Sequence, residues 1–312
     1  MQRTLLLSAV LVAAAMPASA QNSRDRNRAR DRDRDEDYQS TIDTTFAFDK
    51  RGTVTLNLSS GEIVVRAWNR DQIHIRARSE RSVVRMDAGP SRVSLDLSRP
   101  HGGDTRYEVT VPVGVRVSAR ATNGDISITG TKGGVEANTQ SGDLNIDDVG
   151  DMVDLGSLSG NITARGISGN IDVRAVSGDL NLSDVKGDVE ASSVSGDIDL
   201  RNVTARYVRA KSTSGDITFD GTIDSTGRYE LASHSGSVYV VIPQGTGALL
   251  SVATYSGSIE SDFEITLKPG DQGSSSARRF TFEIGKGDAR ISAESFSGDI
   301  TIRSKARRVT DR

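Results

Sequence analysis

The chain has 312 residues, with 39 Lys and Arg against 42 Asp and Glu and no cysteine. A formal net charge of −3 excludes the basic footprint of a nucleic-acid binder. Without disulfides, stability must come from a core and a continuous backbone ladder.

Met1 to Ala20 carries Arg3, an apolar run from Leu5 to Ala15, and Ala18-Ser19-Ala20, which is the layout of a cleavable secretory signal. The run is too short to span a bilayer, and no later segment is apolar enough to do so. The expectation is an exported protein beginning at Gln21, periplasmic or at the cell surface or beyond, and not membrane-spanning after cleavage. Residues 21–40 alternate Arg with Asp and have almost no apolar side chains, so they read as a disordered spacer.

Residues 41–304 read as one domain. Its first part, 41–114, shows irregular strand alternation and leads into the rest through Pro112, so it is expected to be an N-terminal cap or a set of irregular coils. From Gly124 to Thr204 come nine consecutive nine-residue units of the form Gly-Asp-Φ-x-Φ-x-x-Φ-x, where Φ is apolar. Slots three and five hold pairs such as Ile126 and Ile128, Leu144 and Ile146, or Ile171 and Val173, the period-two alternation of a strand with one buried face. A period of eighteen lies over the nine, because Ser precedes Gly in every other unit: Ser141, Ser159, Ser177 and Ser195. One coil is therefore two units.

The series continues with wider spacing at Ser214-Gly215-Asp216, Ser235-Gly236-Ser237, Ser256-Gly257-Ser258 and Ser297-Gly298-Asp299. Each unit has about three apolar side chains and must stack on its neighbours to enclose a core. The fold class that follows is all-β: a single parallel β-solenoid (β-helix) with two-sided coils of 18 to 21 residues and irregular caps. The usual crossover preference makes it right-handed. Regular coils are expected over 115–222, and wider coils over 223–304 with an insertion at 264–284 and a frayed tail at 305–312. The aromatics sit outside the regular part, before Tyr107 or after Tyr207, which suggests a thin aliphatic middle and wider, capped ends.

The repeated corner offers the candidate residues. Gly124, Gly142, Gly160, Gly178, Gly196 and Gly215 read as structural turns, each supplying a positive φ. Beside them Asp125, Asp143, Asp179, Asp197 and Asp216 form a column, with Asn161 in the same slot. Turn-capping by these side chains is the favoured reading. The alternative is a calcium ladder that relieves the repulsion of stacked carboxylates, although the Gly-Gly-x-Gly-x-Asp pattern of calcium nonapeptides is absent. His74, His101 and His234 are too scattered to suggest a metal cluster. Ser233-His234-Ser235 carries no nucleophile and base, because strand neighbours point to opposite faces. Gly133-Gly134 lacks the following helix of a phosphate cradle. Tyr229, Tyr239 and Tyr255 mark the wider coils as the place for a sugar-stacking surface, with core and cap packing the favoured account.

Ser60-Gly61-Glu62-Ile63 followed by Val65, Ala67 and Trp68, then Tyr107-Glu108-Val109-Thr110-Val111-Pro112, then the serial Ser-Gly-Asp corners, together resemble the bacterial putative-adhesin family of β-strand repeat domains, a domain family of unknown function. The likeness covers most of 41–304 and implies an exported β-solenoid of the cell envelope without catalytic residues. The expected function is a non-enzymatic, adhesin-like or structural binding module without a cofactor, its partner an envelope polysaccharide or protein surface and not nucleic acid. A polysaccharide-active enzyme with its site on the C-terminal coils is one alternative; two carboxylates with an Arg or Tyr in one groove there would favour it. A self-assembling envelope scaffold is another.

Overall fold

A computed structural model describes residues 40–98, 103–263 and 278–305, all within the unit Tyr38–Arg312. The expected secretory signal, all but the last residue of the expected spacer, residues 264–277 of the expected insertion, and the tail beyond Lys305 lie outside the described residues. Every element described is a strand, and most pair in parallel.

The N-terminal strands are β1 (Ser40–Ala47), β2 (Thr53–Trp68), β3 (Gln72–Ser79), β4 (Val83–Ala88), β5 (Arg92–Ser98), β6 (Thr105–Pro112) and β7 (Arg116–Thr129). The repeats supply β8 (Val135–Ser141), β9 (Leu144–Asp147), β10 (Val153–Ser159), β11 (Ile162–Arg165), β12 (Ile171–Ser177), β13 (Leu180–Ser183) and β14 (Val189–Ser195). Then come β15 (Ile198–Ser214), β16 (Ile217–Ser235), β17 (Val238–Pro243), β18 (Ala248–Ser256), β19 (Ile259–Ser261), β20 (Arg278–Ile284), β21 (Ala289–Ser297) and β22 (Ile300–Lys305).

Two ladders run side by side through the repeats. In one, β8, β10, β12 and β14 pair in parallel, so that Val135, Val153, Ile171 and Val189 lie in register. In the other, β9, β11 and β13 do the same, aligning Leu144, Ile162 and Leu180. Each residue thus meets its equivalent one coil later, which satisfies the backbone groups that an isolated unit would leave bare. The long strands β2, β7, β15 and β16 belong to both ladders, their two halves pairing in different ones.

The corners differ between alternate units. In units beginning at Gly124, Gly142, Gly160, Gly178 and Gly196, slot seven has a left-handed backbone: Gly130 (φ 81°), Asp148 (50°), Gly166 (65°), Asp184 (55°) and Asn202 (52°). Gly, Asp and Asn tolerate that conformation best. The kink turns slot eight inward, burying Val149, Ile167, Val185 and Val203. These residues stand on a short third edge of the coil, joined by single bonds such as Lys186 N–H to Ile167 C=O at 2.8 Å. In the other units Thr139, Ser157, Ala175 and Ser193 take the inward position at slot seven, and slot eight is exposed. Not every apolar slot enters the core: Leu158, Val176 and Val194 face solvent.

Both ends depart from chain order. At the C-terminal end β21 and β22 lie between β16–β17 on one side and β18–β19 on the other. The coil opening at Ser297 therefore occupies the slot between those of Ser235 and Ser256, not the last one. Likewise β2 lies between β7 and the later strands β5 and β6. Antiparallel strands complete the ends: β4 on β5, β3 and β1 beyond β6, and β20 on β18.

The core is aliphatic in the repeats and gains buried Tyr107, Phe219, Tyr229 and Phe282 towards the ends. Phe219 and Tyr229 pack with centroids 5.5 Å apart. The Tyr229 hydroxyl donates to Ala205 C=O at 2.7 Å and accepts from Asp224 N–H at 2.8 Å. Core packing thus accounts for Tyr229 but not for Tyr239, Tyr255 or Phe296, which are exposed.

Candidate functional site

The Asp column is a ladder between coils. Asp125 Oδ1 accepts the N–H of Asp143 at 2.8 Å, Asp143 that of Asn161 at 2.8 Å, and Asn161 that of Asp179 at 3.0 Å. Asp179 accepts from Asp197 at 2.9 Å, Asp197 from Asp216 at 2.8 Å, and Asp216 from Ser237 at 2.7 Å. Each side chain caps the next coil's backbone and not a neighbouring N–H of its own turn. The ladder then follows the rearranged order of coils: Asp299 N–H meets Ser237 Oγ at 3.3 Å, and Asp299 Oδ1 accepts from Ser258 N–H at 2.8 Å. That last bond holds the Asp299 carboxyl below the usual carboxylate range. Among the described residues no three His, Asp or Glu side chains converge as a metal-ligand set.

The glycine column sits beside it. Gly142, Gly160, Gly178, Gly196 and Gly215 have φ between 132° and 149°, whereas Gly124 is not among the positive-φ residues. At Gly196 two constraints act together: φ is 143°, and a Cβ would collide with the carbonyl of Gly178 one coil below.

His74 hydrogen-bonds Asp43 at 2.9 Å on the N-terminal strands, and His101 lies outside the described residues. Ser233 is buried, its Oγ donating to Gly215 C=O at 2.9 Å, while His234 is exposed. They form no nucleophile–base pair. Gly133 and Gly134 lie between β7 and β8 with no helix after them.

The arrangement that sequence reasoning missed is the exposed slot eight. Register places Leu158, Val176, Val194, Thr213, His234, Phe296 and Tyr255 in one column, coil upon coil. Its C-terminal end is a stack of rings: His234 on Phe296 at 4.8 Å and 13°, and Phe296 on Tyr255 at 4.8 Å and 5°. Phe296 is 48% exposed and Tyr255 52%. The signal for this column was slot seven, where Thr, Ser or Ala replaces the Gly, Asp or Asn that turns slot eight inward.

Two adjoining depressions of about 430 and 680 Å³ share Lys211, Ala232 and Glu294, and the ring stack lines the larger. They exist because small side chains, Ala232, Ala253, Ser251 and Ser292, stand among long ones on the outer face of β15, β16, β21 and β18. Glu230 is clamped by Arg228 at 2.6 Å and Arg209 at 3.1 Å. Burial pushes its carboxyl up, but the hydrogen bonds and charge of Arg228 and Arg209 outweigh that and hold it below the usual range. Glu294 accepts from the Ser292 hydroxyl at 3.3 Å and lies 4.0 Å from Arg279. Among the described residues no helix is long and apolar enough to cross a membrane.

No curated protein matches the chain. Among solved structures it is similar to a putative adhesin from Bacteroides fragilis NCTC 9343, with 13% identity over 85% of this chain and 98% of that one and a TM-score of 0.39. It is also similar to a putative lipid binding protein from Parabacteroides distasonis ATCC 8503, with 9% identity over 86% of this chain and 97% of that one and a TM-score of 0.38. A putative cell adhesion protein from Clostridium sporogenes ATCC 15579 gives 10% identity over 85% of this chain and all of that one, with a TM-score of 0.20. The sequence profile of Toastrack DUF4097 matches residues 114–219 and again 159–303, together more than half of the chain. The chain belongs to the Toastrack DUF4097 family.

Proposed function

We propose that this protein is an exported, non-enzymatic, right-handed β-solenoid of the cell envelope that acts as an adhesin-like binding module. The observation that carries this reading is the ring stack His234–Phe296–Tyr255, held exposed on a ladder of paired strands beside an open cleft. Exposed stacked aromatics give up little side-chain freedom on binding and contribute large apolar area. The test is adsorption of the purified chain to envelope fragments. The F296A/Y255A double variant should lose it while melting at the same temperature; unchanged adsorption would remove the ring stack from the reading.

A polysaccharide-active enzyme is the second reading, because Glu230 and Glu294 line one cleft with Arg228, Arg290 and Tyr229. Two facts weigh against it. A general acid needs a raised pKa, and Glu230 is held low by its two arginines. The Tyr229 hydroxyl is already committed to Ala205 and Asp224. Release of reducing ends from envelope polysaccharide, abolished by E294Q, would reverse this choice.

A further inference from the structure

We infer that the cleft beside the ring stack binds an acidic polysaccharide, a glycan carrying carboxylates on its sugar rings, with the exposed edges of Tyr255, Phe296 and His234 forming an apolar shelf against the sugars and Lys211 and Arg290 taking the carboxylates. This deepens the binding-module reading and rests on it.

Three observations lead to it. First, the surface is the outer face of a ladder in which β16, β21 and β18 are each paired on both sides. A peptide that binds by adding a strand has no edge to join, so recognition falls to side chains. Second, the side chains offered are those that recognise sugars. Phe296 has His234 on one face and Tyr255 on the other, so the stack offers its ring edges as an apolar shelf for a sugar's C–H groups, while Ser251, Ser292 and Glu294 present hydroxyls and a carboxylate to its hydroxyl groups. The two depressions, adjoining at Lys211, Ala232 and Glu294, together take a chain and not only a single unit.

Third, the charge selects the class of glycan. The cations Arg209 and Arg228 are spent on Glu230, but the side chains of Lys211 and Arg290 have no hydrogen bond or ion pair with any described residue. Both line the same depression. Lys211, Arg228 and Arg290 against Glu230 and Glu294 leave that depression one positive charge in excess, on a chain whose net charge is −3. Arg290 stands before Phe296 on β21, about 20 Å along the strand, so the free cations and the apolar shelf are complementary to successive carboxylate-bearing rings of one chain.

The test titrates the purified chain with a size-defined oligogalacturonate and with its carboxyl-reduced, uncharged form, by calorimetry in low and high salt. The expected result is saturable binding of the charged oligomer, at least about tenfold weaker for the reduced one, and weakened by salt. K211A/R290A should bind both forms equally weakly, and F296A/Y255A should bind neither, with melting unchanged in each because all four side chains are exposed. Equal affinity for the two oligomers, no affinity for either, or unchanged discrimination in K211A/R290A would overturn the inference. So would binding of anionic phospholipid vesicles without the oligouronate, which would make the partner a lipid surface. Envelope adsorption that persists when the oligouronate fails sinks the acidic glycan but leaves the module; loss of both sinks both.

Discussion

Asp197 accepts the N–H of Asp216 at 2.8 Å, and at the equivalent rung Asn161 performs the same task for Asp179. The acceptor oxygen matters there and the charge does not. Replacing Asp197 by Asn should leave the urea midpoint almost unchanged, whereas Ala should cost about 0.5–1.5 kcal/mol. Gly196→Ala should cost more, upwards of about 1–3 kcal/mol, since it adds backbone strain to a collision with Gly178. If D197N proves as damaging as D197A, the carboxylates are doing something other than capping, and a bound cation becomes the leading explanation. Part of this was legible from the sequence: the recurrence of Gly-Asp announced a corner. The partner was not, because a capping side chain sees a local N–H and one a coil away as chemically identical.

A second residue tests the electrostatics of stacking. Glu136, Asp154, Asp172 and Glu190 stand one above another on the outer face of the first ladder. Burial, followed by the charges of Asp154 and Glu190, pushes Asp172 up despite Arg174 beside it. A carboxyl whose folded pKa is raised favours the fold only when protonated. Its penalty is absent below the unfolded value, near 3.9, and complete above the folded one. D172N should therefore raise the urea midpoint at pH 7 and make no difference below about pH 4. A loss of stability at pH 7 would mean that the Arg174 pair outweighs the burial.

At the scale of the strand and its corner, slot eight is apolar in most repeats yet serves two purposes. Ile167 follows the left-handed Gly166 and is buried; Leu158 follows Ser157 and is not. Ile167→Ala should cost about 2–5 kcal/mol and Leu158→Ala less than about 0.5 kcal/mol. Equal costs in urea unfolding would contradict the alternation of corners. The strands themselves were readable, since period two at slots three and five gives β9, β11 and β13 directly. The alternation was present too, in Gly130, Asp148, Gly166, Asp184 and Asn202, but hydrophobic pattern alone cannot see it: it is a statement about φ, not about burial. The core-and-cap account of Tyr239 and Tyr255 fails for the same reason, since both are exposed.

For the molecule as a whole, the order of the coils decides what is stable. Ser256-Gly257-Ser258 and Ser297-Gly298-Asp299 look like successive members of one series, and only pairing shows that the later one is inside. The one local hint is chemical: Asp299 has a coil beyond it to cap, and Ser258 ends the ladder. In a stack where each coil touches only its neighbours, protection from exchange follows position in space and not in sequence. Amides of β21, bonded between β16 and β18, should therefore exchange about as slowly as those of β12 and β14 at mid-stack, although β21 lies near the end of the chain. Amides of β1, β4 and β20, each paired on one side alone among the described residues, should exchange first. Hydrogen exchange read by NMR or mass spectrometry separates the possibilities. Fast exchange across β21 and β22 would mean that the terminal coil leaves its slot readily, and the cleft beside Phe296 would open with it; slow exchange there makes the inserted coil the clamp that holds the ring stack in place.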